Sequence, residues 1–133
     1  MSVFVTDTHP LLWFTLNQQR NLSPPALRAF TDADRGETYI HIPSLVLYEI
    51  AILESLGKIS LRNGFLHWTE NLVRKSGFGV ASIEPEIIRA AVGYSFNSDP
   101  FDRVIVATAQ EFSLPLITKD QAITNSGLVE LLW

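Results

Sequence analysis

The stretch Val3-Phe4-Val5-Thr6-Asp7-Thr8-His9-Pro10-Leu11-Leu12-Trp13-Phe14 sets the grammar of the whole chain. Its first four residues are rich in β-formers and read as a short buried strand. The strand stops at Asp7, where Asp7-Thr8 offers an N-cap and Pro10 falls in the first turn of a helix. A strand thus passes into a helix across one acidic residue. The same unit returns further on. Residues 38–42 read as a strand, and Pro43-Ser44 starts a helix to about Leu56 that Gly57 stops. Residues 80–83 read as a strand, and Pro85 opens a helix over 86–94. Residues 114–118 read as a strand ending in Lys119-Asp120, and 128–133 as the last strand. Further helices are expected over 26–33, behind Ser23-Pro24-Pro25, over 61–75, and over 100–112. Alternating strands and helices predict a parallel α/β sheet with helices on both faces.

A chain of 133 residues can form one domain with a real core. Apolar residues make up 47% and charged residues 18%, a balance that favours surface buried against a partner. The net charge of −4 excludes a protein that coats nucleic acid with basic surface. Any nucleic-acid contact must come from metal ions or local cations. The absence of cysteine excludes disulfides, thiolate zinc sites and cysteine nucleophiles. His9, His41 and His67 lack zinc-ligand spacing. No apolar run reaches membrane-spanning length and no leader pattern is present, so a cytosolic protein is expected.

The acidic residues carry the chemistry. Asp7 and Asp120 stand at the carboxyl ends of different strands, the edge where parallel α/β sheets bind ligands. In Ser98-Asp99-Pro100-Phe101-Asp102-Arg103, Asp99 is a good N-cap, Pro100 fits the first helical position, and Asp102 sits in the first turn. Cap plus capping box is the plain structural reading of that pair. Glu49 breaks the pattern of its helix. Leu45, Val46, Ile52 and Leu53 flank it on one face, and no Arg lies within one turn. Burying an unpaired carboxylate there costs several kcal/mol. His9 reads as a first-turn surface or packing residue, and Trp13 as core rather than a stacking platform. Carboxylates that converge raise one another's pKa unless a cation intervenes. An all-oxygen donor set selects Mg²⁺ or Mn²⁺, and such sites serve phosphodiester chemistry.

In order along the chain, Val5-Thr6-Asp7-Thr8-His9, Glu49-Ile50-Ala51, Asp99-Pro100-Phe101-Asp102-Arg103 and Thr118-Lys119-Asp120 resemble the acidic motifs of PIN-domain ribonucleases. They look most like the VapC-type toxins of bacterial toxin–antitoxin pairs. The resemblance covers nearly all of residues 1–133, which it marks as a single PIN-like nuclease domain. Each motif alone is weak, and the four together are specific. The resemblance implies an α/β/α sandwich with a central, mainly parallel sheet. It also implies an RNA substrate, hydrolysis dependent on Mg²⁺ or Mn²⁺, a cognate antitoxin and homodimerisation. By motif, Asp7, Glu49 and Asp102 match the catalytic metal-binding acids, Asp120 the fourth and more variable acid, and Asp99 the residue before the third. Thr8, Arg103, Thr118 and Lys119 stand beside them as substrate-binding candidates. Arg103 and Lys119 could equally be ion-paired to those acids. The chain departs from its relatives at Pro10, where a small residue is common, and at Asn97, where a His or basic residue is common.

Two other readings compete. One is a module of the same fold that binds RNA or protein without cutting, against which the retention of all four acids argues. The other is a phosphatase with Asp7 as nucleophile, as in haloacid-dehalogenase-like enzymes. That motif requires a second Asp two residues on, and His9 stands there.

Overall fold

The computed structural model describes all of residues 1–133. Five parallel strands form one sheet: β1 (Ser2–Thr6), β2 (Thr38–Pro43), β3 (Phe78–Ala81), β4 (Leu116–Ile117) and β5 (Leu131–Leu132). Their order across the sheet is β3-β2-β1-β4-β5, with every neighbouring pair parallel. Between them run α1 (Thr8–Thr15), α2 (Pro24–Asp34), α3 (Ser44–Ser55), α4 (Gly64–Arg74), α5 (Pro85–Val92), α6 (Pro100–Phe112) and α7 (Gln121–Ser126). The α/β expectation holds, and the sheet is parallel throughout.

Local chemistry accounts for most of the helix starts. Asp7, Ser23, Asp99 and Asp120 each cap a helix with a side-chain oxygen, and Pro24, Pro85 and Pro100 open theirs. The main core is built on Val5, Ile40, Ile42, Leu116 and Ile117 from the strands. Leu11, Phe30, Val46, Ile50, Ile105 and Val106 close over them from the helices. A smaller cluster of Ile87, Ala91 and Ala107 joins α5 to α6.

Strands β4 and β5 are two residues long where 114–118 and 128–133 are expected, and three further elements differ from the sequence expectation. Strand β3 begins at Phe78, two residues before the expected start. Gly77 and Gly79 look like breakers in the sequence, but each answers a close approach instead. A Cβ on Gly77 would stand 1.9 Å from the Ala33 carbonyl oxygen, and one on Gly79 1.9 Å from the Tyr39 hydroxyl. Helix α4 begins at Gly64 rather than Leu61, because Asn63 adopts a left-handed conformation at φ 62°. Helix α7 was not anticipated at all. Its signals are Asp120, which caps it, and Gly127 at φ 66°, which stops it.

The order of the strands fixes where a site can lie. Chain direction across the sheet reverses between β1 and β4, so these neighbours leave a crevice at their carboxyl ends. Thr6 of β1 pairs with Ile117 of β4, which puts Asp7 and Thr118 side by side at that crevice.

Candidate functional site

Asp7 is the fixed point of the crevice. It is only 8% exposed, and each carboxylate oxygen has one neutral donor. The Thr8 N–H donates to Oδ1 at 2.8 Å, and the Thr118 hydroxyl donates to Oδ2 at 2.7 Å. The Thr118 hydroxyl accepts in turn from the Asp120 N–H at 3.1 Å. Burial pushes the Asp7 carboxyl up from its ordinary range, and these two hydrogen bonds only partly offset it.

Glu49 reaches the same place from α3. Its Oε1 accepts a 2.5 Å hydrogen bond from the Thr8 hydroxyl. Thr8 therefore holds Asp7 through its N–H and Glu49 through its hydroxyl. The Glu49 carboxyl is raised first by burial, then by the charges of Asp7 and Asp99, with the Thr8 bond acting the other way. Glu49 has no basic partner, and the protein's single ion pair joins Lys75 to Asp34.

Asp102 stands in the first turn of α6, but it caps nothing. Asp99 performs the capping, accepting from the Phe101 N–H at 2.9 Å. Asp102 Oδ2 instead accepts from the Asn97 side-chain amide at 2.7 Å, and Asn97 Oδ1 accepts from the Asp99 N–H at 2.9 Å. The Asp102 carboxyl is pushed up to about 7 by burial first, then by Asp7, Asp99, Asp120 and Glu49 together. All four of the other sequence-selected acids thus lie close enough to act on it.

Asp120 is half-buried and caps α7, its Oδ1 accepting from the Ile123 N–H at 2.9 Å. One of its oxygens is thereby spent on structure. The side chains do not form a ready chelate, since no three carboxylates aim at a single point. Each leans on a neutral donor instead: Asp7 on Thr118 and Thr8, Glu49 on Thr8, Asp102 on Asn97.

Neither cation candidate pairs with these acids. The Arg103 Nε–H donates to the Asn97 carbonyl, which fixes the loop that positions Asn97. The Lys119 ammonium lies 5.0 Å from the centre of the Trp13 ring. Thr8 and Thr118, expected to touch substrate, hold the acids in place. Trp13 is only half-buried and lines a pocket with Asp7, His9, Pro10, Thr118, Lys119 and Asp120. His9 is an exposed first-turn residue and Trp13 packs against the main core, as their sequence reading has it, and both also line this pocket. Asn97 was noted only as a departure from relatives, and nothing in its sequence position signalled a bond to an acid five residues on.

An all-carboxylate set, partly buried and without a paired cation, suits a hard divalent ion held with water in its remaining positions. The PIN domain model matches residues 4–126, and the chain belongs to the PIN-domain family. Its likeness within that family is to the VapC branch. Ribonuclease VapC22 of Mycobacterium tuberculosis is 31% identical over 127 residues, 94% of this chain and 92% of the relative. Among solved structures, the DNA-bound VapBC of Salmonella typhimurium superposes with a TM-score of 0.69 at 15% identity, covering 98% of this chain and 97% of that one. A toxin–antitoxin complex from Klebsiella pneumoniae gives 0.62 at 18% identity, covering 95% and 94%. At such identities these two speak for the fold alone. Nucleases of the PIN family are in general metal-dependent. No helix is long and apolar enough to cross a membrane.

Proposed function

We propose that this chain is a Mg²⁺- or Mn²⁺-dependent endoribonuclease acting as the cytoplasmic toxin of a toxin–antitoxin pair, with residues 1–133 as one nuclease domain. One observation carries the reading. Asp7, Glu49 and Asp102, from three separate elements, lie close enough at the β1–β4 crevice to act on one another's charge, with no Lys or Arg paired to them.

Asp7, Glu49 and Asp102 would hold the ion, with Asp120 and Asp99 contributing charge and outer contacts at its rim. When bound, the ion supplies a water of lowered pKa and stabilises charge on the phosphorus oxygens. Thr8 and Thr118 set the orientation of Asp7 and Glu49 before any ligand arrives, and Asn97 does so for Asp102. Lys119 meets the RNA backbone, while Arg103 acts through the Asn97 loop. Exposed Ile88 and Val92 on α5 supply apolar surface for a second copy or for an antitoxin. The 31% relative carries the ribonuclease name, which supports the same activity here.

Glu49→Gln tests the reading. It keeps the size of the side chain and an acceptor for the Thr8 hydroxyl, and removes the charge. Cleavage of single-stranded RNA in Mn²⁺ should fall by about 10²–10³ or more, the scale of losing one electrostatic element of a site. Circular dichroism beside it should show an unchanged fold. A folded Glu49→Gln protein that cuts at the wild-type rate would remove Glu49 from the site.

A further inference from the structure

Asp7 and Asp120 also line a pocket of about 220 Å³ whose other walls are His9, Pro10, Trp13, Thr118 and Lys119. Its construction is not that of a metal site. The His9 and Trp13 rings are tilted against each other with centroids 5.9 Å apart, and the edge of Trp133 meets Trp13 at 6.2 Å. The Lys119 ammonium lies over the indole ring at 5.0 Å. That placement is informative, because Asp7 and Asp120 line the same pocket and Lys119 pairs with neither. An exposed cation that could neutralise a carboxylate instead rests on a π-face. An indole ring and a free ammonium at one pocket match the two faces of a nucleotide: a base that stacks, and a phosphate that takes a cation.

We infer that this pocket receives the unpaired base and adjoining phosphate of the RNA nucleotide next to the cleaved bond, with Trp13 as the stacking residue and Lys119 as the phosphate contact. The inference rests on the ribonuclease reading of the acids beside it. In the free protein Lys119 occupies the indole face. An entering phosphate draws the ammonium away, and the face it leaves is open to the base. The pocket therefore selects single-stranded RNA, since a paired base cannot present its face to Trp13. It also offsets the repulsion that a net charge of −4 imposes on RNA. Stacking does not depend on charge and survives where the surrounding field is unfavourable.

The test measures binding by anisotropy, in Mn²⁺ and in a Glu49→Gln background. The two probes are a fluorescent twelve-residue oligoriboadenylate and an abasic twelve-mer of the same charge. The parent should bind the adenylate about tenfold or more tighter, the scale of one stacked base. Trp13→Leu should abolish that discrimination, Trp13→Phe should keep most of it, and Lys119→Gln should weaken both probes alike. Equal affinity of the parent for the two probes, or no binding of the adenylate, overturns the proposal, as does a folded Trp13→Leu that still discriminates. Should Trp13→Leu fail to fold, Trp13→Phe and the parent's own discrimination carry the test. Wild-type protein that discriminates between the probes but cuts no RNA would refute the ribonuclease reading and leave the base pocket standing.

Discussion

Asp102→Asn in metal-free protein separates the electrostatic account of the site from a merely structural one. The Asp102 carboxyl is raised from 3.8 to about 7, first by burial and then by four neighbouring acids. A group whose pKa is higher folded than unfolded favours the native state most when protonated. Its contribution is complete below the unfolded value and is lost as pH rises towards 7. Taken whole, the displacement corresponds to about 4 kcal/mol, at about 1.4 kcal/mol per pH unit. Asp102 is half-exposed, and solvent screening brings this to about 1–2 kcal/mol. Asparagine is neutral at every pH. It also keeps an oxygen for the 2.7 Å bond from the Asn97 amide, and any weakening of that bond, at most about 1 kcal/mol, applies equally at all pH values. The diagnostic quantity is therefore the change in the mutant-minus-wild-type difference between pH 5 and pH 8. About three fifths of the displacement falls between pH 5 and pH 8, so in EDTA the variant's melting temperature should gain on the wild type by about 2–5 °C over that interval, at about 4 °C per kcal/mol for a chain of this size. The carboxyls are coupled, so the wild-type curve belongs to the cluster and not to Asp102 alone. A difference that does not move with pH would refute the argument, and a uniformly less stable variant would show that Asp102 serves the fold.

Three further outcomes are expected. Mn²⁺ should raise the melting temperature of the wild type by several degrees and that of Asp7→Asn by much less; equal shifts would exclude Asp7 as a ligand. Thr118→Val deletes the hydroxyl that donates to Asp7 Oδ2 at 2.7 Å and should cost about 1–3 kcal/mol in urea unfolding, because a buried acceptor loses its donor. A neutral result would show that water replaces the hydroxyl. Gly77→Ala forces a Cβ to within 1.9 Å of the Ala33 carbonyl oxygen and should cost about 3 kcal/mol or more, or prevent folding; wild-type stability would mean that α2 and β3 separate easily.

The features legible in the sequence are those whose causes are local. Asp7, Ser23 and Asp99 announce helix starts because a cap acts on backbone within three residues of it, and the prolines mark first turns for the same reason. The acids could be grouped because a parallel sheet sends every strand end to one edge, and Glu49 stood out against an apolar face. Features set by distant contacts were misread. Gly77 and Gly79 read as chain breakers, yet each is required by an atom more than thirty residues away, in Ala33 and Tyr39 respectively. Asp120 reads from its place after β4 as one of the acids, and the structure gives the same side chain a second task that the sequence reading lacks, as the cap of α7.

Asn97 shows where sequence reasoning about this site stops. Seen in the chain, it is a polar loop residue with no mark of a role in the site. In the fold it joins three parts: its amide donates to Asp102, its side-chain oxygen accepts from the Asp99 N–H, and its carbonyl accepts from Arg103. A cation at this position would pair with Asp102 and lower its pKa. A neutral amide adds no such charge, and burial followed by the four neighbouring acids pushes the carboxyl up to about 7. The chain has thus placed the neutral donor where a cation would quench the charge of the cluster. Neutral donors serve Asp7 and Glu49 in the same way, through Thr118 and Thr8. Each acid is thus held in position by a neutral group that brings no compensating charge, so the mutual repulsion of the cluster stays unrelieved in the free protein, as the proposed metal role requires.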